Sequence, residues 1–192
     1  QTYDAENCDY DNAAEYFNKP VKGEYSILYK NNGDGTFTDV TKEMNMQVAM
    51  TVMGLSFGDL DNDGWMDIYS GTGTPNYTSL VPKRMFRNNE GKSYQDITHS
   101  GGFGHLQKGH GIGFGDVDND GDQDVYEDMG GGYEGDGFQG AFYENPGISG
   151  NNWVSLQLVG VKANKSAMGS KVKITVENAD KSTRDIYVEV TN

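Results

Sequence analysis

Asp59, Asp61, Asp63 and Asp67 fall inside the run Asp59-Leu60-Asp61-Asn62-Asp63-Gly64-Trp65-Met66-Asp67, and the same D-x-D-x-D-G-x-x-D spacing returns at Asp116, Asp118, Asp120 and Asp124. Alternate residues of a tightly curled loop can point their carboxylates at one centre. Carboxylates so crowded repel unless a cation sits among them, and an all-oxygen donor set suits a hard ion, Ca2+ first. Glycine at the sixth position, Gly64 or Gly121, permits the turn that lets the seventh residue, Trp65 or Asp122, offer its carbonyl. A solvated acidic turn would explain one copy. Two copies at matched spacing point to a pair of metal loops.

The elements that must position these loops emerge when the chain is slid along itself by 57 residues. Tyr29-Lys30-Asn31-Asn32 falls on Phe86-Arg87-Asn88-Asn89, and Phe37 to Thr41 on Tyr94 to Thr98. Gly54-Leu55-Ser56-Phe57-Gly58-Asp59 falls on Gly111-Ile112-Gly113-Phe114-Gly115-Asp116, and Met85-Phe86-Arg87-Asn88 on Phe142-Tyr143-Glu144-Asn145, without a gap. Alternation and turn residues predict four strands in the first full unit, about 52–57, 67–70, 84–87 and 93–98. The second unit repeats three, about 111–114, 124–127 and 141–143. Each acidic loop joins the first and second strands of its unit. A four-stranded sheet cannot bury both faces alone, so such units pack side by side, as in a propeller.

Glu127 is the twelfth residue from Asp116, so the second loop formally fits an EF-hand; the first has Ser70 there and fails. Helices must flank an EF-hand, and Gly111 to Gly115 and Val125-Tyr126 are strand sequences, which excludes that reading.

The rest of the composition narrows the class. A chain of 192 residues with 27 glycines and 12 tyrosines suggests short strands joined by turns, an all-β fold. The net charge of -14 argues against nucleic acid or an anionic membrane as partner. No run approaches the roughly 20 apolar residues of a membrane span, and no signal segment opens the chain. Cys8 is the only cysteine, so no internal disulfide forms. Loops of this kind suit surroundings where free Ca2+ is about millimolar, which predicts a secreted, extracellular or periplasmic protein. Asn76-Tyr77-Thr78 and Asn164-Lys165-Ser166 match the glycosylation acceptor pattern.

Residues 1–24 read as a degenerate blade remnant or loop, with Ala13 and Ala14 where a carboxylate and glycine would belong. Gly71 to Asn76 and Gly130 to Gly137 read as surface loops. His99, His105 and His110 with Lys108 are the one cluster suggesting catalysis. They lack zinc-helix spacing among their glycines, and no nucleophile motif accompanies them, so no catalytic residue is assigned. Past a linker at 149–152 the pattern changes to three predicted strands, Trp153 to Val159, Lys171 to Glu177 and Asp185 to Val190.

Leu28 to Thr41 and Phe57 to Tyr69 resemble the FG-GAP/VCBS repeat of integrin-α-like propellers, and Asn151 to Val172 is similar to the ASPIC/UnbV domain. Together they resemble bacterial members of the cartilage acidic protein family. The resemblance implies a partial β-propeller over 25–148 and a small, incomplete β module over 149–192. It implies two structural Ca2+ sites, on Asp59, Asp61, Asp63, Asp67 and the Trp65 carbonyl, and on Asp116, Asp118, Asp120, Asp124 and the Asp122 carbonyl. Seven blades normally close such a propeller, against about two and a half here, so a fragment or a subunit of an assembly is expected. The functional expectation is a calcium-stabilised, non-enzymatic extracellular scaffold or adhesion module. Its partner would be a protein or glycan at the cell surface or matrix, or another copy of itself. The alternative is a fragment of a propeller-type extracellular enzyme whose active site lies mostly outside this chain.

Overall fold

The computed structural model describes residues 25–73, 81–131, 134–147, 149–162, 164–178 and 180–190. The remnant expected at 1–24 and the Asn76 acceptor lie outside the described residues. In chain order the strands are β1 (Tyr29–Asn31), β2 (Phe37–Asp39), β3 (Val52–Gly58), β4 (Asp67–Thr72), β5 (Arg84–Asn89), β6 (Ser93–Asp96), β7 (Gly109–Gly115), β8 (Asp124–Met129), β9 (Ala141–Tyr143), β10 (Lys171–Glu177) and β11 (Thr183–Glu189). The described residues contain no helix, and every strand pair is antiparallel.

The fold is all-β, built as neighbouring blades. The complete blade is a sheet in the order β3-β4-β5-β6, the next is β7-β8-β9, and β1-β2 stands where the outer two strands of a preceding blade would be. All seven predicted blade strands form, most of them slightly longer than alternation alone indicated. β6 stops at Asp96 because Thr98 leaves the ladder and turns its hydroxyl onto the Met85 amide, 3.0 Å away.

The two-residue period sends alternate side chains to opposite faces of the complete blade. Ile68 lies opposite Phe86, and both pack with Met46, Val48 and Met50 from the preceding segment. Tyr69 lies opposite Met85, and both pack with Val125 of the next blade, with Phe103 and Tyr143 closing over them. Tyr69, Met85 and Phe86 are fully buried; each such burial contributes about 1.5–3 kcal/mol. The first strands of the two blades lie so close that a Cβ on Gly54 would sit 1.6 Å from the His110 carbonyl oxygen. The expected surface loop beginning at Gly71 is corrected in part, since Gly71 and Thr72 belong to β4 and are buried with Gly73.

An ion pair crosses the blade seam. Lys83, just before β5, and Glu127, on β8, are both fully buried, with Nζ and Oε1 3.6 Å apart. The Tyr69 hydroxyl donates to Glu127 Oε2 at 2.9 Å. Burial pushes the Glu127 carboxyl up and the Lys83 ammonium down, and in each case the partner's charge opposes the shift. A Cβ on Gly109 would come within 1.9 Å of Glu127 Oε1, so the absence of a side chain there makes room for the pair. Glu127 is therefore committed to the seam, which agrees with the exclusion of an EF-hand.

The chain forms two compact units, Gln1–Asn152 and Trp153–Asn192. In the second, β10 and β11 pair in full register from Lys171 opposite Glu189 to Glu177 opposite Thr183. The third predicted strand is corrected: Trp153 to Val159 is not a strand, and its side chains stand exposed. Alternation supplies a face to bury, but a strand also needs a ladder partner, and β10 and β11 pair with each other instead.

Removing one partner of the seam pair leaves the other charged and buried. Glu127→Ala is expected to lower the unfolding free energy by about 3–5 kcal/mol. Lys83→Met with Glu127→Leu should recover most of that loss, and urea denaturation of the two variants checks both expectations.

Candidate metal centre

Each acidic loop is folded by its own carboxylates. In the first, Asp59 accepts the Asp63 amide on Oδ1 at 3.0 Å and the Gly64 amide on Oδ2 at 2.7 Å. Asp63 Oδ1 accepts the Trp65 amide at 2.8 Å. In the second, Asp116 accepts the Asp120 and Gly121 amides at 3.0 and 3.2 Å, and Asp120 Oδ1 accepts the Asp122 amide at 3.0 Å. Asn62 and Gly64, like Asn119 and Gly121, take left-handed backbone angles, with φ of +52° and +81° and of +63° and +98°. Asn and Gly are the residues that tolerate this region.

The aspartate at the ninth position of each loop is the clasp. Asp67 is 1% exposed; its Oδ2 accepts the Leu60 amide at 2.9 Å and its Oδ1 the Asn88 amide at 2.7 Å. Asp124 repeats this with Val117 at 3.0 Å and Asn145 at 2.9 Å. One carboxylate thus ties the loop entrance to the third strand of the blade, or to the second residue past it. The Asn88 side chain donates to the Met66 carbonyl and that of Asn145 to the Gln123 carbonyl, at 3.1 and 3.2 Å.

These folds bring carboxylate oxygens together. Asp59, Asp61 and Asp67 in the first loop, and Asp116, Asp118 and Asp120 in the second, each offer a ligand atom within 4.8 Å of the others in its group. Asp63 and Asp124 are outside those triads, engaged as described with the Trp65 amide and with the Val117 and Asn145 amides. The Trp65 ring lies against Gly91, where an added Cβ would meet it at 2.4 Å. The Asp122 carboxylate accepts from the Asn62 side chain.

Three observations fit a hard cation. The donors are all oxygen. Asp61 Oδ1 is buried without a hydrogen-bond partner, a costly state for a carboxylate oxygen. Burial, then the neighbouring Asp61 and Asp59 charges, push the Asp67 carboxyl up to about 7 against the lowering effect of the Asn88 and Leu60 amides. Asp59 is pushed up as well, by burial first, although the Gly64 and Asp63 amides oppose the shift.

The two loops differ in surroundings. Arg87 pairs with Asp61, its Nε 2.6 Å from Oδ2, whereas the residue 57 positions later is Glu144. The second triad is exposed and the first partly buried. Asp61 and Arg87 also border a cavity of about 550 Å3 walled by Leu60, Ile97, Phe103 and Tyr143.

The histidines of the suggested catalytic cluster have separate surroundings. His105 Nδ1 accepts the Gln107 amide at 3.0 Å and its ring meets Phe138 edge-on. Burial, then the Lys83 charge, lowers its pKa. His110 lies on β7 with Nε2 buried. Among the described residues no histidine joins a ligating group. Lys108 is paired with the buried Asp136, so that part of the glycine-rich segment 130–137 is tied down.

Residues 21–70 match the family model described as FG-GAP-like repeat. That span holds β1 to the body of β4 and the whole first acidic loop; moved by 57 residues it covers 78–127, where the second loop occupies the same place. No curated protein matches the chain. Asn88 and Asn145 were not singled out for the site by their residue type. Their equal position in the repeat was the available signal. Gln123 carried none, since its counterpart is Met66.

The cation-free protein should show the Asp67 proton in its pH dependence. Its carboxyl is raised from 3.8 to about 7, so between about pH 4 and 7 the folded state holds a proton that the unfolded state has lost, and this contribution to stability falls as pH rises. A cation must expel that proton. Calorimetric Ca2+ affinity is expected to rise with pH up to about 7 and then level, and a flat profile across that window would rule out Asp67 as a ligand.

Proposed function

We propose that the chain is a calcium-binding, non-enzymatic extracellular scaffold or adhesion module whose two Ca2+ ions hold blade hairpins in shape. The observation that carries this is the pair of oxygen triads, each within 4.8 Å, at the same turn of successive repeats. Asp63 and the Trp65 carbonyl would complete the first site. Asp124 and the Asp122 carbonyl would complete the second. The ion supplies positive charge that lets crowded carboxylates stay ionised, on loops whose backbone curl the chain's own amides support. A secreted setting belongs to this reading because loops of this kind suit surroundings where free Ca2+ is about millimolar. An ASPIC/UnbV-like role for 149–192 remains part of this reading, supported by the phrase from Asn151 to Val172. The net charge of -14 favours a partner other than nucleic acid, and the cavity beside Asp61 and Arg87 is a place for a protein side chain or sugar ring.

A second reading, assembly through blade faces, is favoured by one comparison within the chain. Tyr126 and Phe142 lie opposite each other on β8 and β9 and are 51% and 48% exposed. Their counterparts 57 residues earlier are Tyr69 and Met85, which are fully buried against the next blade. A further blade, from another copy or another chain, would cover them in the same way.

At free Ca2+ about 100 times the dissociation constant each site contributes about 2.7 kcal/mol. Chelation by EDTA is therefore expected to lower Tm by roughly 5–10 °C per site in a chain of this size. Unchanged melting together with no binding heat in calorimetry would overturn the calcium reading.

A further inference from the structure

We propose that the second acidic loop positions the first, so that Ca2+ binding at the two sites is positively coupled; this rests on the calcium reading above. The two loops touch through side chains that belong to neither triad. Gln123 Oε1 accepts the Asp59 amide at 2.8 Å. Asn62 Nδ2 donates to the Gly121 carbonyl at 3.1 Å and to the Asp122 carboxylate. Asn145 Nδ2 donates both to the Leu60 carbonyl, at 2.7 Å, and to the Gln123 carbonyl, at 3.2 Å.

These contacts form an unbroken route between the two clasps. The Asp124 carboxylate accepts the Asn145 amide, the Asn145 side chain donates to the Leu60 carbonyl, and the Leu60 amide donates to the Asp67 carboxylate. The Asp59 backbone, which begins the first triad, is held by a glutamine from inside the second loop. A cation that fixes the second loop therefore fixes Gln123 and Asn145. The first loop then needs less ordering when its own cation arrives.

The asymmetry of the loops gives the coupling its physical content. The second triad is exposed, and its loop adds a fifth aspartate, Asp122, so that five carboxylates crowd nine residues, 116–124. That loop gains most from a cation. The first, partly buried and leaning on the second, inherits its geometry. Gln123, Asn145 and Asn62 are positioning residues in this scheme and touch no ion.

Trp65 makes the test direct, because it lies in the first loop and the only other tryptophan, Trp153, is in the other compact unit. In a Trp153→Phe background, Trp65 fluorescence reports Ca2+ at the first site while calorimetry counts ions. Asp118→Asn with Asp120→Asn should leave one ion bound and move the Trp65 midpoint to about tenfold higher Ca2+, within the usual range of coupling between sites. Gln123→Ala should leave two ions bound, shift the midpoint the same way, and shrink the further effect of the aspartate pair. Circular dichroism spectra and melting confirm folding, and Gln123→Ala decides the matter if the double variant fails to fold. A Trp65 midpoint within about twofold of the parent in folded variants, with one ion still counted for the aspartate pair, overturns the coupling and leaves the calcium reading standing. No ion counted in the parent overturns the calcium reading itself, and the coupling with it.

Discussion

Asp67 and Asp124 are carboxylates almost removed from water at the base of their loops, and both oxygens of each accept backbone amides from two separate segments. Burying such a group is costly unless its lone pairs are satisfied, so the segments that satisfy it must stay where they are. The loop entrance, the second strand and the end of the third strand, or the residues just beyond it, are pinned by one side chain in each blade. The remaining aspartates can then converge without holding up the fold. The curl of the loop, the triads and the contact between loops all depend on this clasp.

The blade seam works by a different balance. Alternating side chains give the complete blade two apolar faces, one meeting Met46, Val48 and Met50 and the other meeting Val125 and Tyr143. The Lys83–Glu127 pair crosses the second face where the backbones approach at Gly109. Apolar area draws the blades together. The ion pair adds a penalty for any arrangement that separates its members, because either charge alone would stay buried without its partner. Exposed Tyr126 and Phe142 show the same face without its cover.

Much of the fold was legible because a repeat tests itself. A single alternating run is ambiguous, but Gly54 to Asp59 and Gly111 to Asp116 share one register, and both became the strand and turn that the pattern implied. The acidic loops were legible for the same reason, since D-x-D-x-D-G spacing encodes a local curl that depends on residues close in sequence. Trp153 to Val159 misled because its alternation is as clean as that of β10, while a ladder partner is a property of distant chain.

By itself the sequence determined which residues carry the negative charge, the strand periods that flank them, and the 57-residue frame that makes the loops equivalent. All of these rest on local forces: backbone geometry, side-chain alternation and carboxylate-to-amide bonds spanning a few residues. Tertiary structure alone decided that Glu127 belongs to the seam with Lys83 and that Arg87 sits on Asp61. It also decided that Gln123 and Asn145 reach from one loop to the other. Those contacts join residues 26 to 85 positions apart, and such partners are chosen by how the blades stack, which no local pattern records.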